Sequence, residues 1–443
     1  MTVQTEDGKQ ENTKLAGIGK RAQYRPETVF NNIGHVIDLD LLRNSYTQLD
    51  GRKAVGKDGV TKAQYGEDLE GNLQDLLSRL RNGSYKSQAS RLVEIPKEDG
   101  SSRPLAISCF EDKLVQQSVS QILTVLYEPD FLPVSYGYRE GKHAHGALRA
   151  LMKLSNSNPD GGTLEIDLRR YFNTIPHDKL MEIVQEKISD RWFLKLLRKL
   201  LCSPIEAKGE IKLNLVGCPQ GSIVSPILSN IYLHKVVDGW FAEISKSHIR
   251  GRAGMVRFAD DMVFVFEHHG QAERFARVLP KRLEKYGLNL HEEKSSLIRT
   301  GKKVAVEAEQ RGERIPTYKF LGFTCYWGKG RQGQWRFKYK SRSDRMAGKL
   351  KGLRKFLKEH LSKRTLETLK QVKRVVRGWV NYHAISDNQR QVNNFLTLSQ
   401  RAIFWWLNRK GGKKRLNWKR FNALMKRIDF PKSFKTTSMF SVC

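Results

Sequence analysis

The spacing of apolar residues along the chain changes near residue 340. Before this point, helical repeats alternate with β-forming runs, and the clearest helical repeat consists of five leucines, Leu69, Leu73, Leu76, Leu77 and Leu80. β-Branched and aromatic residues predict strands at 162–168 and on both sides of residues 259–261. Beyond residue 329, strand signals disappear and apolar residues at helical spacing predict three helices with a basic outer face. The pattern predicts an α+β region and then an all-α bundle, with the boundary between Lys340 and Lys349.

The N-terminal part contains one predicted β-hairpin. Residues 1–25 are polar and aperiodic, which predicts a mobile tail, and residues 26–90 form an N-terminal extension. The segments Arg91–Lys97 and Arg103–Leu105 are β-forming and are separated by the turn signal Glu98-Asp99-Gly100. Basic residues occur on both arms of this hairpin. Two interpretations are open: these residues bind an anionic ligand, or they are ordinary solvated surface charges.

Two adjacent acids interrupt an apolar run at residues 255–266. The flanking β-formers predict a hairpin with Ala259-Asp260-Asp261 as its turn. Two carboxylates at one turn repel each other, and a divalent cation bound by their oxygens would remove that cost. A solvated turn is the alternative, because aspartate is common in turns. Asp167 ends the predicted strand at 162–168, where a single acid is usually a cap or turn residue.

The net charge of the chain indicates which kinds of molecule it binds. The 443 residues include 79 Lys and Arg against 46 Asp and Glu, giving a net charge of +33. Such a charge indicates a polyanion, with nucleic acid as the first choice and an anionic membrane surface as the rival. There is no long apolar run and no signal-peptide core, so no membrane partner is expected. The five cysteines lack CxxC spacing, which argues against a zinc site or disulfide framework.

The order of the motifs indicates a specific chemistry. A strand ending in Asp167 is followed by the tight loop Pro219-Gln220-Gly221 and then by the Asp260–Asp261 hairpin. Transfer of a nucleotide uses two metal ions about 3.5–4 Å apart, which activate a 3′-hydroxyl and stabilise the leaving pyrophosphate. Carboxylates from two neighbouring strands can hold such a pair of ions.

These motifs, in this order, resemble the sequence blocks of reverse transcriptases. The matching segments are Ile166-Asp167-Leu168 with Phe172, Pro219-Gln220-Gly221, Arg257–Asp261, Gly287-Leu288 with Lys294, and Phe320–Phe323. Four further segments are similar to group II intron reverse transcriptases in particular, namely Gly56–Thr61, the hairpin from Ile95-Pro96-Lys97 to Arg103-Pro104-Leu105, Gly378–Tyr382 and Trp418–Asn422. The resemblance implies a right-hand polymerase with fingers and an antiparallel palm sheet at 91–340. A three-helix thumb or maturase domain at 341–412 and a basic C-terminal segment at 413–443 would follow.

The resemblance also implies a role for individual residues in the reaction. Asp167, Asp260 and Asp261 would hold two Mg²⁺ ions as cofactors. Lys294 matches a lysine near the leaving pyrophosphate and would serve as a general acid. Phe258 stands where many relatives carry tyrosine, which removes a hydroxyl but keeps the ring, so activity is expected to survive.

Further residues are implied in binding the nucleotide and the primer. Lys97 and Arg103 would contact the triphosphate, Arg103 through its planar fork and Lys97 as a point charge. Phe172 would exclude a ribose 2′-hydroxyl, and Gln220 would contact the incoming nucleotide and its template base. A primer-gripping turn would be formed by Phe320, Leu321 and Gly322, and thumb lysines and arginines would hold the backbone of the template–primer. Core packing is expected for Trp379, and for Trp405 and Trp406 core packing is favoured over the alternative, base stacking.

The expected activity is RNA-directed DNA synthesis, with dNTPs added to a DNA or RNA primer on an RNA template. An intron RNA whose splicing the protein assists is a further expected partner, and the expected location is the bacterial cytoplasm. One alternative is a free-standing reverse transcriptase in DNA repair or antiviral defence. Another is a non-enzymatic RNA chaperone. No DNA endonuclease activity is expected, because no cysteine-pair or histidine-rich segment follows the thumb.

Overall fold

A computed structural model describes residues 13–96, 102–207, 209–410 and 416–440, and the backbone of 3–4 and 10–11. The strands are β1 (Val3–Gln4), β2 (Gln10–Glu11), β3 (Ser90–Pro96), β4 (Ser102–Ile107), β5 (Asp160–Ile166), β6 (Pro204–Ala207), β7 (Glu210–Leu213), β8 (Ala253–Phe258), β9 (Asp261–Phe266), β10 (Ser296–Gly301), β11 (Thr317–Phe320), β12 (Phe323–Lys329) and β13 (Trp335–Ser341). The α-helices are α1 (Thr13–Tyr24), α2 (Leu39–Gln48), α3 (Lys62–Tyr65), α4 (Leu69–Arg81), α5 (Phe110–Tyr127), α6 (Ala144–Ser157), α7 (Tyr171–Thr174), α8 (His177–Gln185), α9 (Arg191–Leu201), α10 (Ser225–Leu233), α11 (Gly239–Ser247), α12 (His269–Lys285), α13 (Lys302–Gln310), α14 (Ser343–Glu359), α15 (Thr365–His383), α16 (Gln389–Lys410) and α17 (Trp418–Arg427). A 3₁₀ turn lies at Gly34–Val36, and the π-helical turn His234–Asp238 joins α10 to α11.

The described strands form three main sheets. The central sheet has the order β10-β5-β9-β8 and is antiparallel throughout, as the resemblance implied. The N-terminal sheet has the order β4-β3-β6-β7, in which only β3 and β6 are parallel. The third sheet has the order β11-β12-β13. The chain is therefore a mixed α/β body followed by a helical region.

Strand β9 is buried on both faces because its side chains alternate between two cores. Met262, Phe264 and Phe266 pack into the main core, to which helices from α1 to α12 contribute. Val263 and Val265 pack into a second core with α6 and the three-stranded sheet. The apolar run without polar interruptions is the pattern of a strand covered on both sides.

The N-terminal expectation needs a correction. Residues 13–24 were predicted as part of a mobile tail, but they form helix α1, which packs along α5. Leu15 and Ala22 are buried there, and Ile18 lies against the main core. Only a few apolar side chains hold α1, so its periodicity is too weak to stand out from its polar residues.

The C-terminal region also differs from the prediction. Strand β13 lies beyond residue 329, where no strand was expected, because lysines and arginines alternate with the inward-facing Phe337 and Tyr339. Among the described residues, the three helices predicted for 341–412 are present as α14, α15 and α16, and α17 is a fourth helix that was not predicted. Phe421 and Met425 of α17 are buried in the bundle core, so a helix and core residues lie within the predicted basic C-terminal segment.

Hydrogen bonds join the bundle to the body of the protein. Asn388 donates to the Ser341 hydroxyl at 2.7 Å and accepts from the Ser341 amide at 2.8 Å. His383 at the end of α15 contacts the same hydroxyl through Nδ1 at 2.9 Å. The C-terminal stretch returns to this junction, where the Thr437 amide donates to the Ala384 carbonyl at 2.8 Å. Among the described residues, no helix combines the length and apolarity that a transmembrane span requires.

Candidate active site

The central sheet brings three aspartates to one of its ends. Ile166 of β5 is paired with Met262 of β9, so the next residue on each strand at this end is Asp167 or Asp261. Opposite residues in an antiparallel pair have Cα atoms about 4.5–5.5 Å apart. The β8–β9 turn adds Asp260. The residue before it, Ala259, has a left-handed φ of 56°. Three carboxylates that lie far apart in sequence therefore share one edge of the sheet.

Asp167 lies close enough to Asp260 and Asp261 to raise the pKa of both. The pKa of Asp261 rises to about 7, first because surrounding protein partly desolvates it and then because of the negative charges of Asp260 and Asp167. The pKa of Asp260 is raised as well, by burial and then by Asp167. Asp261 is nevertheless reached by solvent. The sheet edge thus concentrates negative charge at an accessible point, which suits a cationic ligand.

The side chains do not form a finished coordination sphere. Within the described residues, no group of three or more His, Cys, Asp or Glu side chains is arranged to hold a metal ion. The donor chemistry fits a hard divalent cation, since carboxylate oxygens are the ligands that Mg²⁺ prefers. Because uncompensated carboxylates repel one another, a cation would have to draw these side chains together.

A buried ion pair supports the aspartate turn, and sequence reasoning missed it. Arg257 and Asp238 are both fully buried, and two bonds of 2.8 and 2.6 Å join the guanidinium to the carboxylate. The same guanidinium donates to Asn230 Oδ1 and to the Ala259 carbonyl, both at 3.0 Å. Arg257 therefore holds the backbone immediately before Asp260. A charged residue in an apolar strand pattern was the available signal.

A loop from another part of the chain packs against the same turn. The Tyr136 amide donates to the Arg257 carbonyl at 2.8 Å, and Asn230 Nδ2 donates to the Gly137 carbonyl at 2.8 Å. A Cβ on Gly137 would lie 2.3 Å from the Ala259 nitrogen, so only glycine fits there. Tyr138 follows with a φ of 58°, and its exposed ring meets the edge of Phe172 at a centroid distance of 6.3 Å. Its position beside Phe172 was not foreseen.

The Pro-Gln-Gly loop lies against strand β4. The Ala106 amide donates to the Gln220 carbonyl at 2.7 Å, and Gly221 has a φ of 106° with Ala106 directly beside it. Gln220 donates weakly to Asn173 Oδ1 at 3.3 Å, whereas its own Oε1 is buried without a partner among the described residues. Gln220 thus has an acceptor available for a ligand.

Arg103 lies on β4 and is exposed, and its positive charge acts to lower the pKa of Asp260 and of Tyr138. This electrostatic influence places the arginine in the neighbourhood of the aspartates. The other predicted triphosphate contact, Lys97, lies outside the described residues.

Lys294 lies in a turn that is attached to Asp167. The His291 amide donates to the Asp167 carbonyl at 2.9 Å, and the Lys294 amide donates to the His291 carbonyl at 3.0 Å. The Asp167 amide in turn donates to the Ser295 hydroxyl at 3.2 Å. Lys294 itself is exposed, with its backbone fixed close to the acidic edge.

The predicted primer-gripping turn joins β11 to β12. Leu321 and Gly322 both have positive φ values, 46° and 78°, as a two-residue hairpin turn requires. Tyr382 at the end of α15 donates its hydroxyl to the Leu321 carbonyl at 2.8 Å. Burial and then the charge of Asp261 raise the pKa of Tyr382 to about 12. The helical bundle therefore reaches the aspartate site through Tyr382.

The structure separates the three tryptophans that were expected in the core. Trp379 is buried and stacks on Phe395 at a centroid distance of 3.8 Å, and Trp406 is 4% exposed. Trp405 is 67% exposed, so the expectation of core packing was wrong for this ring. Two consecutive tryptophans on one helix point about 100° apart, and only one of them can face the core.

Comparison with known proteins identifies two family regions. The family described as "Reverse transcriptase (RNA-dependent DNA polymerase)" matches residues 95–325, and "Group II intron, maturase-specific domain" matches residues 344–424. The first match spans the aspartates and the Pro-Gln-Gly loop. The second spans most of the bundle.

Individual relatives agree with these matches. The chain is 33% identical to Protein YkfC of Escherichia coli over 48% of the chain and 64% of the relative. It is 28% identical to the group II intron-encoded protein LtrA of Lactococcus lactis, over 68% of the chain and 47% of LtrA. An uncharacterised 91 kDa protein in the cob intron of Schizosaccharomyces pombe is 33% identical over 55% of the chain and 30% of that protein. The matched regions thus cover between 30% and 64% of these relatives' lengths.

Proposed function

The chain belongs to the reverse transcriptase (RNA-dependent DNA polymerase) family and carries a group II intron maturase-specific domain, and from this premise we propose that it synthesises DNA on an RNA template. The substrates would be dNTPs and the 3′-hydroxyl of a DNA or RNA primer. The observation that carries the proposal is the position of Asp167, Asp260 and Asp261 at one end of the antiparallel central sheet. In a right-hand polymerase this sheet would be the palm and the β3–β4 hairpin would belong to the fingers.

The three aspartates would hold two Mg²⁺ ions. Bound there, the ions would activate the primer hydroxyl and neutralise the charge on the leaving pyrophosphate. The raised pKa values of Asp260 and Asp261 support this assignment, since a nearby cation would stabilise both ionised carboxylates. Arg257 would keep the turn in place through its bond to the Ala259 carbonyl.

The incoming nucleotide would lie between β4 and the aspartates. Arg103 would bind the triphosphate together with Lys97, and the unpartnered Oε1 of Gln220 would accept a hydrogen bond from the nucleotide or its template base. Phe172 would stand beneath the sugar and clash with a ribose 2′-hydroxyl, with Tyr138 against its edge. Lys294 would protonate the leaving pyrophosphate.

The primer end would be held by the turn formed by Phe320, Leu321 and Gly322. Tyr382 would fix this turn from the bundle side. Basic residues of the bundle, acting as a thumb, would contact phosphates of the template–primer duplex without reading its sequence.

An intron RNA is the second proposed partner. The maturase-specific domain and the similarity to LtrA, whose name describes it as encoded by a group II intron, support assistance to splicing. Binding of a structured RNA needs the basic surface but not the three aspartates. The two activities should therefore be separable by mutation.

Primer extension on an RNA template with dNTPs and Mg²⁺ tests the proposal. We expect the wild type to extend the primer and the Asp260→Ala, Asp261→Ala double variant to be inactive. Asp178→Ala is a matched control, because Asp178 is an exposed aspartate that pairs with Arg198 on the surface. Undiminished synthesis by the double variant would refute the site. Wild type that makes no DNA under any condition, while still binding RNA, would favour an RNA chaperone.

A further inference from the structure

Two tryptophan rings are exposed side by side on the helical bundle. Trp405 on α16 is 67% exposed and Trp418 on α17 is 48% exposed, whereas most tryptophan surface in proteins is buried. Phe404 connects them. It stacks on Trp418 at a centroid distance of 4.1 Å and an angle of 4°, and its ring meets that of Trp405 at 6.4 Å. We call the three rings the aromatic platform.

The aromatic platform is held rigidly from below. Phe421 is fully buried and meets both Phe404 and Trp418 edge-on, at 5.4 and 5.3 Å. Asn408 of α16 accepts from the Leu416 amide at 2.6 Å and donates to the Leu416 carbonyl at 3.3 Å, which fixes the approach to α17. Because the rings are already ordered, a ligand that stacks on them loses little additional conformational freedom of the protein.

The chain segment that carries the platform has only positive charges. Residues 388–428 contain eleven lysines and arginines and no aspartate or glutamate. Arg401 and Arg409 lie one helical turn before and after Trp405, so all three share a face of α16. Both arginines are exposed, and neither forms an ion pair with a described residue. The face therefore suits a ligand with both aromatic rings and negative charge.

The platform is far from the junction with the body of the protein. Trp405 lies sixteen residues beyond Gln389, where α16 begins, and at 1.5 Å per residue this separation is about 24 Å along the helix. The start of α16 is the end that is bonded to Ser341 through Asn388. The incoming nucleotide and the primer end are consequently not the ligands of this surface.

We propose that the aromatic platform stacks unpaired bases of an RNA, with Arg401 and Arg409 binding the flanking phosphates. Bases inside a duplex are already stacked on both faces, whereas unpaired bases can stack on protein rings. We assign RNA as the ligand because the platform lies within residues 344–424, which match the group II intron maturase-specific domain. The platform adds a single-strand binding site to the proposed function and does not require polymerase activity.

Fluorescence anisotropy with labelled oligonucleotides tests the proposal. The probes are an unstructured oligouridylate RNA, an RNA duplex of equal length and the DNA version of the single strand. Trp405→Ala and Trp418→Ala should each weaken binding of the single-stranded RNA by about 5- to 150-fold, the range for one stacked base. Duplex binding should change by less than a factor of about 2. Trp405→Phe should retain most of the affinity, because it keeps an aromatic ring.

Charge and stacking contribute separately. The Arg401→Gln, Arg409→Gln variant should weaken both RNA probes and lower the slope of log K against log salt by about 0.7 per phosphate contact on the single strand. Tyr24→Ala, which removes an exposed aromatic ring on α1, is the matched control and should leave binding unchanged. Thermal melting confirms that each variant is folded.

Three results would overturn the proposal. The first is unchanged single-strand binding by folded Trp405→Ala, and the second is an equal loss for the single strand and the duplex. The third is tighter binding of the DNA strand than of the RNA strand, which would reject RNA as the ligand. Because the assay measures binding without dNTPs, its failure leaves the polymerase proposal intact. Failure of the primer-extension test likewise leaves the base-stacking proposal intact, because stacking does not require polymerase activity.

Discussion

Removing the Asp238 carboxylate should destabilise the protein and displace the aspartate turn at the same time. In Asp238→Ala, the Arg257 guanidinium stays fully buried and loses two charge-assisted bonds of 2.8 and 2.6 Å. Breaking one partner of such a pair costs about 3–5 kcal/mol, since the remaining charge is neither solvated nor paired. For the body of the protein, which spans roughly 330 residues, that corresponds to a drop in melting temperature of about 4–7 °C.

A second variant distinguishes stability from positioning. Arg257→Met combined with Asp238→Leu removes both buried charges and keeps apolar volume, a change that is often close to neutral for stability. The double variant nevertheless loses the bond from Arg257 to the Ala259 carbonyl. A displacement of about 1 Å at Asp260 would lower activity by about 100-fold. Because Asn230 Oδ1 and the Ala259 carbonyl lose their donor, we expect its melting temperature to recover only part of the loss, while primer extension stays low.

The assays are thermal melting and initial rates of primer extension below the melting temperature of each variant. Asp178→Ala again serves as the control, because its pair with Arg198 is exposed and should contribute less than about 1 kcal/mol. Asp238→Ala that melts like the wild type would refute the energetic argument. A double variant with full polymerase activity would show that Arg257 does not position the turn.

Three further outcomes are expected. Phe172→Ala should raise incorporation of rNTPs relative to dNTPs by about 10- to 200-fold, because it removes the ring proposed to exclude the 2′-hydroxyl, and single-nucleotide kinetics measure this ratio. Tyr382→Phe removes the bond to the Leu321 carbonyl, which is worth about 0.5–1.5 kcal/mol, and should lower the melting temperature slightly and shorten the products made on a long template. Burial, and secondarily His145, lower the pKa of His383 from 6.5 to about 4. Between pH 6.5 and 4 the unfolded chain therefore binds more protons than the folded chain. The free energy of unfolding should fall by up to about 3 kcal/mol as the pH decreases through this interval. Thermal melting of His383→Gln should show a smaller loss of stability over the same interval.

The sequence predicted the aspartate hairpin because its signal is local. Two β-forming runs around Asp260 and Asp261 identify the hairpin, and the same local pattern ends a strand at Asp167. That β5 lies beside β9 depends on contacts across about a hundred residues, and the resemblance supplied this information where periodicity could not. The positions of the Pro-Gln-Gly loop and of Tyr382 depend on tertiary packing in the same way.

The errors also have physical causes. The position of Arg257 in an apolar run was a signal of burial, but the local sequence does not identify its partner, because Asp238 lies on a π-helical turn elsewhere in the chain. Helix α1 was missed because few of its residues are apolar. Trp405 was assigned to the core from its residue type, although its neighbour Trp406 already occupies the inward direction.

Strand β9 has a consequence for how this protein can change over time. Its first residue is Asp261, and the five residues that follow alternate between two cores. A change in side-chain volume in either core shifts the same backbone and therefore moves a carboxylate on which the proposed chemistry depends. Mutational drift in two otherwise separate interiors is thus coupled, and a substitution accepted in one interior restricts those that the other can tolerate.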